Sequence, residues 1–426
     1  MFSPSQRAGG RRFAMALPFC GILALLPFAS PSFAQNINLP AALSRVAAAD
    51  PALAANAAHL KAADAAVLQA GTRPRDSVGV DIEDFAGTGS YSPVERGQTT
   101  AWYERTWERG DKRAARVDAA RSDIEVVSRR NQLRLLDRFA DVQAALVEAQ
   151  AAEAAIPVAR QHLASAQSVQ AEVNRRVARA LDPLFAAQRA QASVAQAKIA
   201  LDRAVANARA TRAALAAWWG GTADFELEMA SFARLEPATD ASGASPDAQL
   251  YTAARDAAGA RVRLAQSGDA ADPVGRVGVR HFAEGGDVAL MVGGSIPLGT
   301  KRFNRGNVER ARAELAVADA EIAVWEAGQK REIALLQAER RLLSAEAARI
   351  ETEVLPAAER AVAMARAGFA RGGTAFTFLE ISQAQLAVVD ARARQVELQR
   401  RFHLTGARFD RLTGRHLPVL TSAETR

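Results

Sequence analysis

Histidine, cysteine, aspartate and glutamate are the side chains that bind metals and carry out acid–base catalysis, and their spacing here favours neither role. The five histidines, His59, His162, His281, His403 and His416, are scattered, and none stands four residues from another. The glycine pairs at 285–286 and 293–294 lack the strand-then-helix setting of a phosphate-binding loop. We therefore expect a protein that is not an enzyme and that holds no metal and no cofactor.

Residues 1–34 have the pattern of a secretory signal peptide. Three arginines precede an apolar run over 13–28, and Ser32-Phe33-Ala34 is a small-x-small cleavage sequence. Cys20, the only cysteine, lies inside this leader, where Phe19 replaces the small residue expected before a lipidated cysteine. The chain is thus predicted to be exported and to carry no disulfide bond after processing.

The charge of the processed chain excludes one class of partner. Removing residues 1–34 leaves 51 basic and 47 acidic residues, a mild excess that is spread along the chain. No basic block with interleaved aromatic residues appears, so no nucleic acid is expected as a partner. The remaining sequence also contains no apolar run of 18 residues, so a transmembrane helix is not predicted.

A segment that opens a long helix occurs twice, 189 residues apart, as Gly110-Asp111-Lys112-Arg113-Ala114-Ala115-Arg116 and as Gly299-Thr300-Lys301-Arg302-Phe303-Asn304-Arg305. Each copy follows a run with strand spacing and precedes about seventy residues with few helix breakers. The sequence therefore predicts an internal two-fold repeat. Its parts are a first repeat (35–220), a linker (221–244), a second repeat (245–414) and a tail (415–426).

Two strand pairs are predicted from residues that alternate in polarity, at 77–85 with 99–107 and at 274–282 with 288–296. Each strand has roughly the nine or ten residues that cross a bilayer when tilted, and Trp102, Tyr103 and Trp107 suit an interfacial aromatic belt. A soluble hairpin fits the same alternation. Because open sheet edges are not tolerated in lipid, a membrane sheet would need several chains to share one barrel.

The helical segments carry apolar residues at seven-residue intervals, which predicts coiled-coil packing. The long helices, 111–180 and 303–371, would each span on the order of 100 Å. Pro157 and Pro356 are expected to bend or break them. The return helices, 183–219 and 376–414, are shorter, so helices 51–70 and 246–267 are predicted to stack end to end with them.

Apolar and acidic residues mark the two turns between long and return helices. Such residues either pack locally or form a docking surface. At the first tip they are Leu181, Asp182, Pro183 and Leu184, and at the second tip Gly373, Thr377, Phe378, Leu379 and Glu380.

The processed chain resembles the TolC-type outer membrane efflux proteins over nearly all of its length. Three motifs carry this resemblance. The run 107–116 is similar to the strand-to-helix motif of that family, with Gly110, Lys112, Arg113 and Arg116 at its matching positions. Pro297 and Leu298 resemble its second copy, although Gly299 replaces an aromatic residue. The run 376–385 resembles the second tip of the heavy-metal (CzcC-like) branch, with the glycine moved to Gly373. The first tip lacks the usual glycine.

This resemblance implies a mainly helical fold with a small β part and a homotrimer. Long coiled-coil hairpins would form an α-barrel in the periplasm, and four strands per chain would form a shared twelve-stranded barrel in outer membrane lipid. The tips would contact a periplasmic adaptor (membrane fusion) protein beneath which lies an inner-membrane pump, of the RND type. Asp182 and Glu380 would be acidic groups near the aperture, where a solvated helix-end charge is the alternative.

The function expected from this resemblance is an outer membrane exit duct that passively conducts divalent heavy-metal cations. Two alternatives stay open. The same duct could serve drugs and other organic compounds, or the chain could be a periplasmic coiled-coil scaffold or adaptor. An adaptor normally has one helical hairpin, whereas this chain has two repeats that each contain a strand pair.

Overall fold

The computed structural model describes residues 36–89, 96–236, 245–371 and 377–419. The fold is mainly helical with few strands, as predicted. The helices are α1 (Leu39–Ala49), α2 (Pro51–Ala70), α3 (Lys112–Ala178), α4 (Leu184–Ala217), α5 (Ala230–Ala233), α6 (Pro246–Ser267), α7 (Thr300–Arg349), α8 (Leu355–Ala370) and α9 (Phe378–Thr413). The strands are β1 (Asn36–Ile37), β2 (Ser77–Glu83), β3 (Gln98–Thr106), β4 (Glu226–Leu227), β5 (Val274–Phe282) and β6 (Val288–Ser295).

The four longer strands form one antiparallel sheet in the order β2-β3-β5-β6. The register places Val78 opposite Tyr103, Tyr103 opposite Val277, and Val277 opposite Val292. All four strands lie within one or two residues of their predicted bounds. In one copy of the chain, β2 and β6 are the outer strands of this sheet and each presents an unpaired edge.

The two prolines in the long helices have different effects. α3 continues from Lys112 to Ala178 with Pro157 inside it. The helix is therefore not broken at this residue, and that part of the prediction is wrong. Ile156, the residue before this proline, packs against Ala208 of α4 in a small apolar cluster, and the helix continues despite the cost of about 3 kcal/mol that an internal proline imposes. After α7, a π-helical turn at Ile350–Val354 directly precedes α8, the helix that contains Pro356.

The shorter helices stack end to end along the long ones, as predicted. Asp50 caps α2 by accepting a 2.8 Å hydrogen bond from the backbone N–H of Ala52, and it lies in a pocket with Trp218 at the end of α4. At the other junction, Ser245 Oγ donates to the carbonyl oxygen of Leu412 at 3.2 Å, and Arg411 pairs with Asp247. α2 thus follows α4, and α6 follows α9.

The main hydrophobic core surrounds the middle of α3. Leu136, Phe139 and Val142 are buried there against Leu43 and Val46 of α1. Many seven-residue-spaced positions are buried as well: Ala119, Leu133, Val147, Val308, Leu336, Leu343 and Ile350. Part of the predicted linker also enters the core. β4 pairs in parallel with β1, and Phe225 and Phe232 are buried.

Candidate functional site

One face of the four-stranded sheet is apolar and open to solvent in the isolated chain. Val78 is 81% exposed, Leu290 77% and Val292 76%. These residues share the face with Tyr103 and Val277, because directly opposed residues in the register point to the same side. Exposed apolar surface of this extent marks a site of contact with another protein or with lipid.

The opposite face of the sheet carries a ladder of ion pairs. Arg276 lies 2.8 Å from the carboxylate of Glu104 on β3 and 3.8 Å from that of Asp81 on β2. Arg280 lies 2.6 Å from the carboxylate of Glu83 and donates to Thr100 at 2.8 Å. The sheet is therefore apolar on one side and charged on the other, which is the pattern of a strand set between lipid and water.

The three predicted belt aromatics do not share a face. Trp102 lies on the charged face, where its ring covers Gly79 so closely that a Cβ there would approach within 2.3 Å, and the Arg276 guanidinium lies 4.2 Å from the ring centroid. Tyr103 lies on the apolar face, and Trp107 packs over Gly275 on the same side. Tyr103 and Trp107 therefore share the apolar face, as a membrane belt would require, whereas Trp102 lies on the other face.

The first strand-to-helix motif is bound to the loop that precedes β5. Gly110 and Asp111 adopt positive φ angles of 70° and 57°, which turn the chain from β3 into α3. Lys112 Nζ then donates to Asp272 Oδ2 at 2.6 Å and to the carbonyl oxygen of Ala270 at 2.7 Å. The backbone N–H of Arg109 donates to the other Asp272 oxygen at 2.9 Å.

Arg116 completes this junction from the side of α2. Its guanidinium pairs with Glu108 and donates to the carbonyl oxygens of Ala70 at 3.2 Å and Thr72 at 3.1 Å. Arg113 points outward and is exposed. Lys112 and Arg116 are thus structural anchors, whereas Arg113 is available at the surface.

The second motif uses different contacts. Gly299 has a φ of 74°, and Thr300 Oγ1 donates to the carbonyl oxygen of Asp269 at 2.7 Å. Asn304 Nδ2 donates to the carbonyl oxygen of Ala265 at 2.6 Å. Pro297 precedes this turn, and Leu298 is 92% exposed. The two similar sequences therefore form similar turns with positive φ angles, but their side chains make different hydrogen bonds.

The first tip is held by a charged pair that is nearly enclosed. Arg176 donates to both oxygens of Asp182, at 2.8 and 3.0 Å, and to the carbonyl oxygen of Phe369 in α8 at 2.7 Å. Asp182 is therefore neutralised by a bidentate partner, which argues against its predicted role as an acidic group near the aperture. Leu181 and Leu184 remain 57% and 71% exposed, with Pro183 between them as the N-cap of α4.

The second tip begins α9 with a capping box. Thr377 Oγ1 accepts from the backbone N–H of Leu379 at 3.2 Å, and Glu380 accepts from the backbone N–H of Thr377 at 2.8 Å. The Thr377 hydroxyl and the backbone N–H groups of Glu380 and Thr377 lower the pKa of Glu380. Phe378 packs against a small core, and Leu379 is 43% exposed. Gly373 lies outside the described residues.

Two negative findings concern the described residues alone. Within 36–89, 96–236, 245–371 and 377–419, no group of three or more histidine, cysteine, aspartate or glutamate side chains could hold a metal ion. Over the same ranges, no helix has both the length and the apolar character needed to cross a membrane.

Comparison of sequences gives two curated relatives. The chain is 26% identical to the cobalt-zinc-cadmium resistance protein CzcC of Cupriavidus metallidurans over 422 residues, which covers 95% of this chain and 96% of CzcC. It is 26% identical to the nickel-cobalt-cadmium resistance protein NccC of Alcaligenes xylosoxydans over 330 residues, which covers 75% of this chain and 74% of NccC. No protein-family model matches the chain.

Solved structures decide the fold. CusC superposes with a TM-score of 0.73 at 14% identity, covering 89% of this chain and 93% of its own. The outer membrane protein VceC of Vibrio cholerae gives 0.68 at 21% identity, covering 88% and 96%, and the outer-membrane channel OprN gives 0.69 at 14% identity, covering 88% and 89%. The fold is that of the TolC-type channels. The resemblance predicted from the motifs, heavy-metal branch included, is confirmed.

These comparisons also agree with two further expectations. The relatives and neighbours named here are resistance proteins, outer membrane proteins and channels, and none is named as an enzyme, as we predicted for this chain. The predicted localisation, the outer membrane, is also that of VceC, an outer membrane protein, and of OprN, an outer-membrane channel.

Sequence reasoning missed three residues of this channel fold. Asp272 binds Lys112, Glu108 binds Arg116, and Asn304 fastens the second turn. Glu108 lies inside the recognised motif, so the need of Arg116 for a nearby carboxylate is a signal that could have identified it. Asp272 is 160 residues from Lys112, and only the sheet register brings the two together.

Proposed function

We propose that this chain is the outer membrane exit duct of a tripartite efflux system. The observation that carries this proposal is the sheet, which has an apolar exposed face, a charged opposite face and two unpaired edges, and which continues directly into long helices. The apolar face fits lipid and the charged face fits a water-filled lumen. Conduction through this duct is passive, and energy comes from the inner-membrane pump.

We further propose a homotrimer that closes the sheet. A membrane sheet with free edges at β2 and β6 is unstable, and three copies of four strands make a closed barrel of twelve. The helices support the same closure. α7 leaves Val317, Val324, Leu335 and Leu342 exposed, and each pair is spaced by seven residues, as a second coiled-coil seam requires. The α7 side of one copy would meet the α2 side of the next.

The two repeats, 35–220 and 245–414, supply the geometry of this closure. Within one chain, β3 of the first repeat pairs with β5 of the second, and α3 packs on α6. By the same relationship, β6 would pair with β2 of the next copy and α7 would pack on α2. A head-to-tail contact that repeats by rotation forms a closed ring.

The tips are proposed to dock the periplasmic adaptor, above an RND-type pump. Leu181, Pro183 and Leu184 form an apolar surface at the first tip, and Thr377, Phe378 and Leu379 form its counterpart at the second tip. Glu380, whose pKa is lowered by Thr377, stays ionised at neutral pH and is the acidic group proposed for the aperture. Asp182 does not share that role.

The duct proposal is tested by fractionating cells that express the full chain. We expect a trimer in the outer membrane fraction that separates into monomers only on heating in detergent. A monomer in the soluble periplasmic fraction would contradict the proposal and favour the scaffold alternative, in which the apolar sheet face would have to be covered by another protein.

Divalent heavy-metal cations are the substrate that we propose. The support comes from CzcC and NccC, whose names state cobalt, zinc, nickel and cadmium resistance. A strain that lacks the gene should become sensitive to these cations and keep its tolerance of drugs, dyes and detergents. Sensitivity confined to organic compounds would keep the duct and overturn the metal assignment.

A further inference from the structure

A cavity of about 890 Å³ opens beside the first strand-to-helix motif. Its walls are the loop that precedes β2, the end of β3 and the first turns of α3. Five arginines and one tryptophan line it: Arg73, Arg105, Trp107, Arg109, Arg113 and Arg121. The contacts by which Lys112 and Arg116 anchor the motif do not involve the side chains of these five arginines.

The cavity holds an excess of uncommitted positive charge. Within the described part of the chain, the side chains of Arg73, Arg109, Arg113 and Arg121 make no hydrogen bond or ion pair, and Arg105 reaches Asp76 only at 3.9 Å. Two of the lining carboxylates are already engaged. Glu108 pairs with Arg116, and Asp76 accepts a 2.6 Å hydrogen bond from Tyr103. Asp111 and Asp118 remain, so the cations outnumber the available acids.

The position of the cavity relates it to the apolar sheet face. Trp107 lines the cavity, is 49% exposed, and packs over Gly275 on the same side of the sheet as Tyr103. Beyond Tyr103, the same face continues through Val277 to Val292. The arginines therefore lie where the apolar face ends and the helices begin, which is the level of the lipid headgroups if the sheet crosses a membrane.

We propose that this cavity binds the headgroup phosphate of an anionic phospholipid in the leaflet that faces the helices, an inference that rests on the function proposed above. Arginine guanidinium groups bind phosphate through paired hydrogen bonds, and basic clusters at a membrane surface attract anionic lipids. The acyl chains would lie along Tyr103 and Val277. A free phosphate ion would contact only the arginines and would not contact the apolar surface at Tyr103 and Val277.

The internal repeat supplies a matched control. Arg302 and Arg310 stand 189 residues after Arg113 and Arg121, at the same positions relative to the second turn. Both are exposed, and Arg310 lies 3.8 Å from Glu314. Replacing each pair of arginines by alanine removes the same charge from equivalent helical turns, but only the first pair lines the cavity.

The test uses the processed chain purified in a non-ionic detergent. The temperature at which the assembled protein dissociates is measured with dioctanoyl phosphatidylglycerol, with dioctanoyl phosphatidylcholine and with inorganic phosphate. We expect phosphatidylglycerol alone to raise this temperature by several degrees. The shift should disappear in R113A/R121A and persist in R302A/R310A.

Each other outcome overturns the inference. Phosphatidylcholine carries the same phosphate together with a choline cation, so an equal shift with it shows that a net negative headgroup is not recognised. An equal shift with inorganic phosphate shows a site for free anions. Equal loss in both double variants shows a non-specific charge effect. A wild-type protein that is a heat-sensitive outer membrane trimer but ignores phosphatidylglycerol contradicts the lipid site alone, whereas a soluble monomer contradicts the duct as well.

Discussion

Lys112 Nζ lies 2.6 Å from Asp272 Oδ2, and this contact joins the start of α3 to the loop that precedes β5. Both side chains are largely shielded, at 17% and 27% exposure. Burial opposes ionisation of Asp272, but the hydrogen bonds from Lys112 and from the backbone of Arg109 outweigh it and lower the pKa of this carboxyl. The sheet is thus fastened to the helices by a charged contact between the start of α3 and the loop before β5.

Replacing Asp272 by asparagine should therefore destabilise this junction. The substitution removes a charge-assisted hydrogen bond and leaves Lys112 without its counter-charge, so we expect a loss of about 1–3 kcal/mol in the free energy of unfolding, measured by urea denaturation in detergent. Asp256→Asn, in an exposed pair with Arg255, should cost less than about 0.5 kcal/mol. Equal effects of the two substitutions would show that the contact does not stabilise the fold.

The buried pair of Arg176 with Asp182 should stabilise the first tip more than the exposed pair of Arg175 with Glu172 does. Arg176→Ala removes the bidentate partner of Asp182 and the hydrogen bond to Phe369, and we expect a destabilisation of about 2–4 kcal/mol in thermal unfolding. The control is Glu172→Ala, which breaks the i, i+3 pair with Arg175 at the same end of α3. Because Arg175 is 62% exposed, this change should cost less than about 0.5 kcal/mol.

Ala180 adopts a left-handed backbone conformation, with a φ of 57°, at the tip that lacks the glycine expected there. A residue with a Cβ pays roughly 1–2 kcal/mol in this region, and glycine does not. Ala180→Gly should therefore stabilise the protein by about 1 kcal/mol in urea denaturation. Ala178→Gly, at the last residue of α3, should destabilise it by up to about 1 kcal/mol, and stabilisation by both changes would refute the conformational explanation.

His403 should make stability depend on pH. Burial lowers the pKa of His403, against the opposing effect of the hydrogen bond to the Phe232 carbonyl. In the unfolded chain, histidine binds its proton near pH 6.5, so the unfolded state takes up more protons and stability falls as the pH drops below about 6.5. His403→Gln should flatten the slope of melting temperature between pH 7 and 5. The exposed His59→Gln variant should keep the wild-type slope.

The local features of the fold could be predicted from the sequence, and the pairings between distant residues could not. Alternation of polarity is a property of neighbouring residues, so the strand containing Val78, Val80 and Ile82 was predicted almost to its ends. Alternation also separates Trp102 from its neighbour Tyr103, but the contact of Trp102 with Arg276 depends on the register between β3 and β5, which is set by contacts across the sheet. The neutralisation of Asp182 likewise depends on Arg176, which lies six residues earlier in the last turn of α3 and reaches Asp182 only because the chain folds back at the tip.

The same distinction explains the long helices. Seven-residue spacing predicted which side of α3 and α7 is buried, because that side follows from helix geometry alone. The outcome at Pro157 depends on the helices packed beside it, and the π-helical turn before Pro356 shows that the same residue type at a matching position responds differently in the second repeat.

Adjacent residues on β6 provide the most direct test of the central claim that the sheet lies in a membrane. Leu290 is 77% exposed on the apolar face, and Met291 is 37% exposed on the charged face. An arginine that faces lipid costs about 2–4 kcal/mol near the bilayer centre, whereas one in a water-filled lumen costs little. The measurement is the amount of heat-sensitive trimer in the outer membrane fraction for Leu290→Arg and Met291→Arg. We predict loss of the trimer for Leu290→Arg and retention for Met291→Arg, and normal assembly of Leu290→Arg would contradict the account.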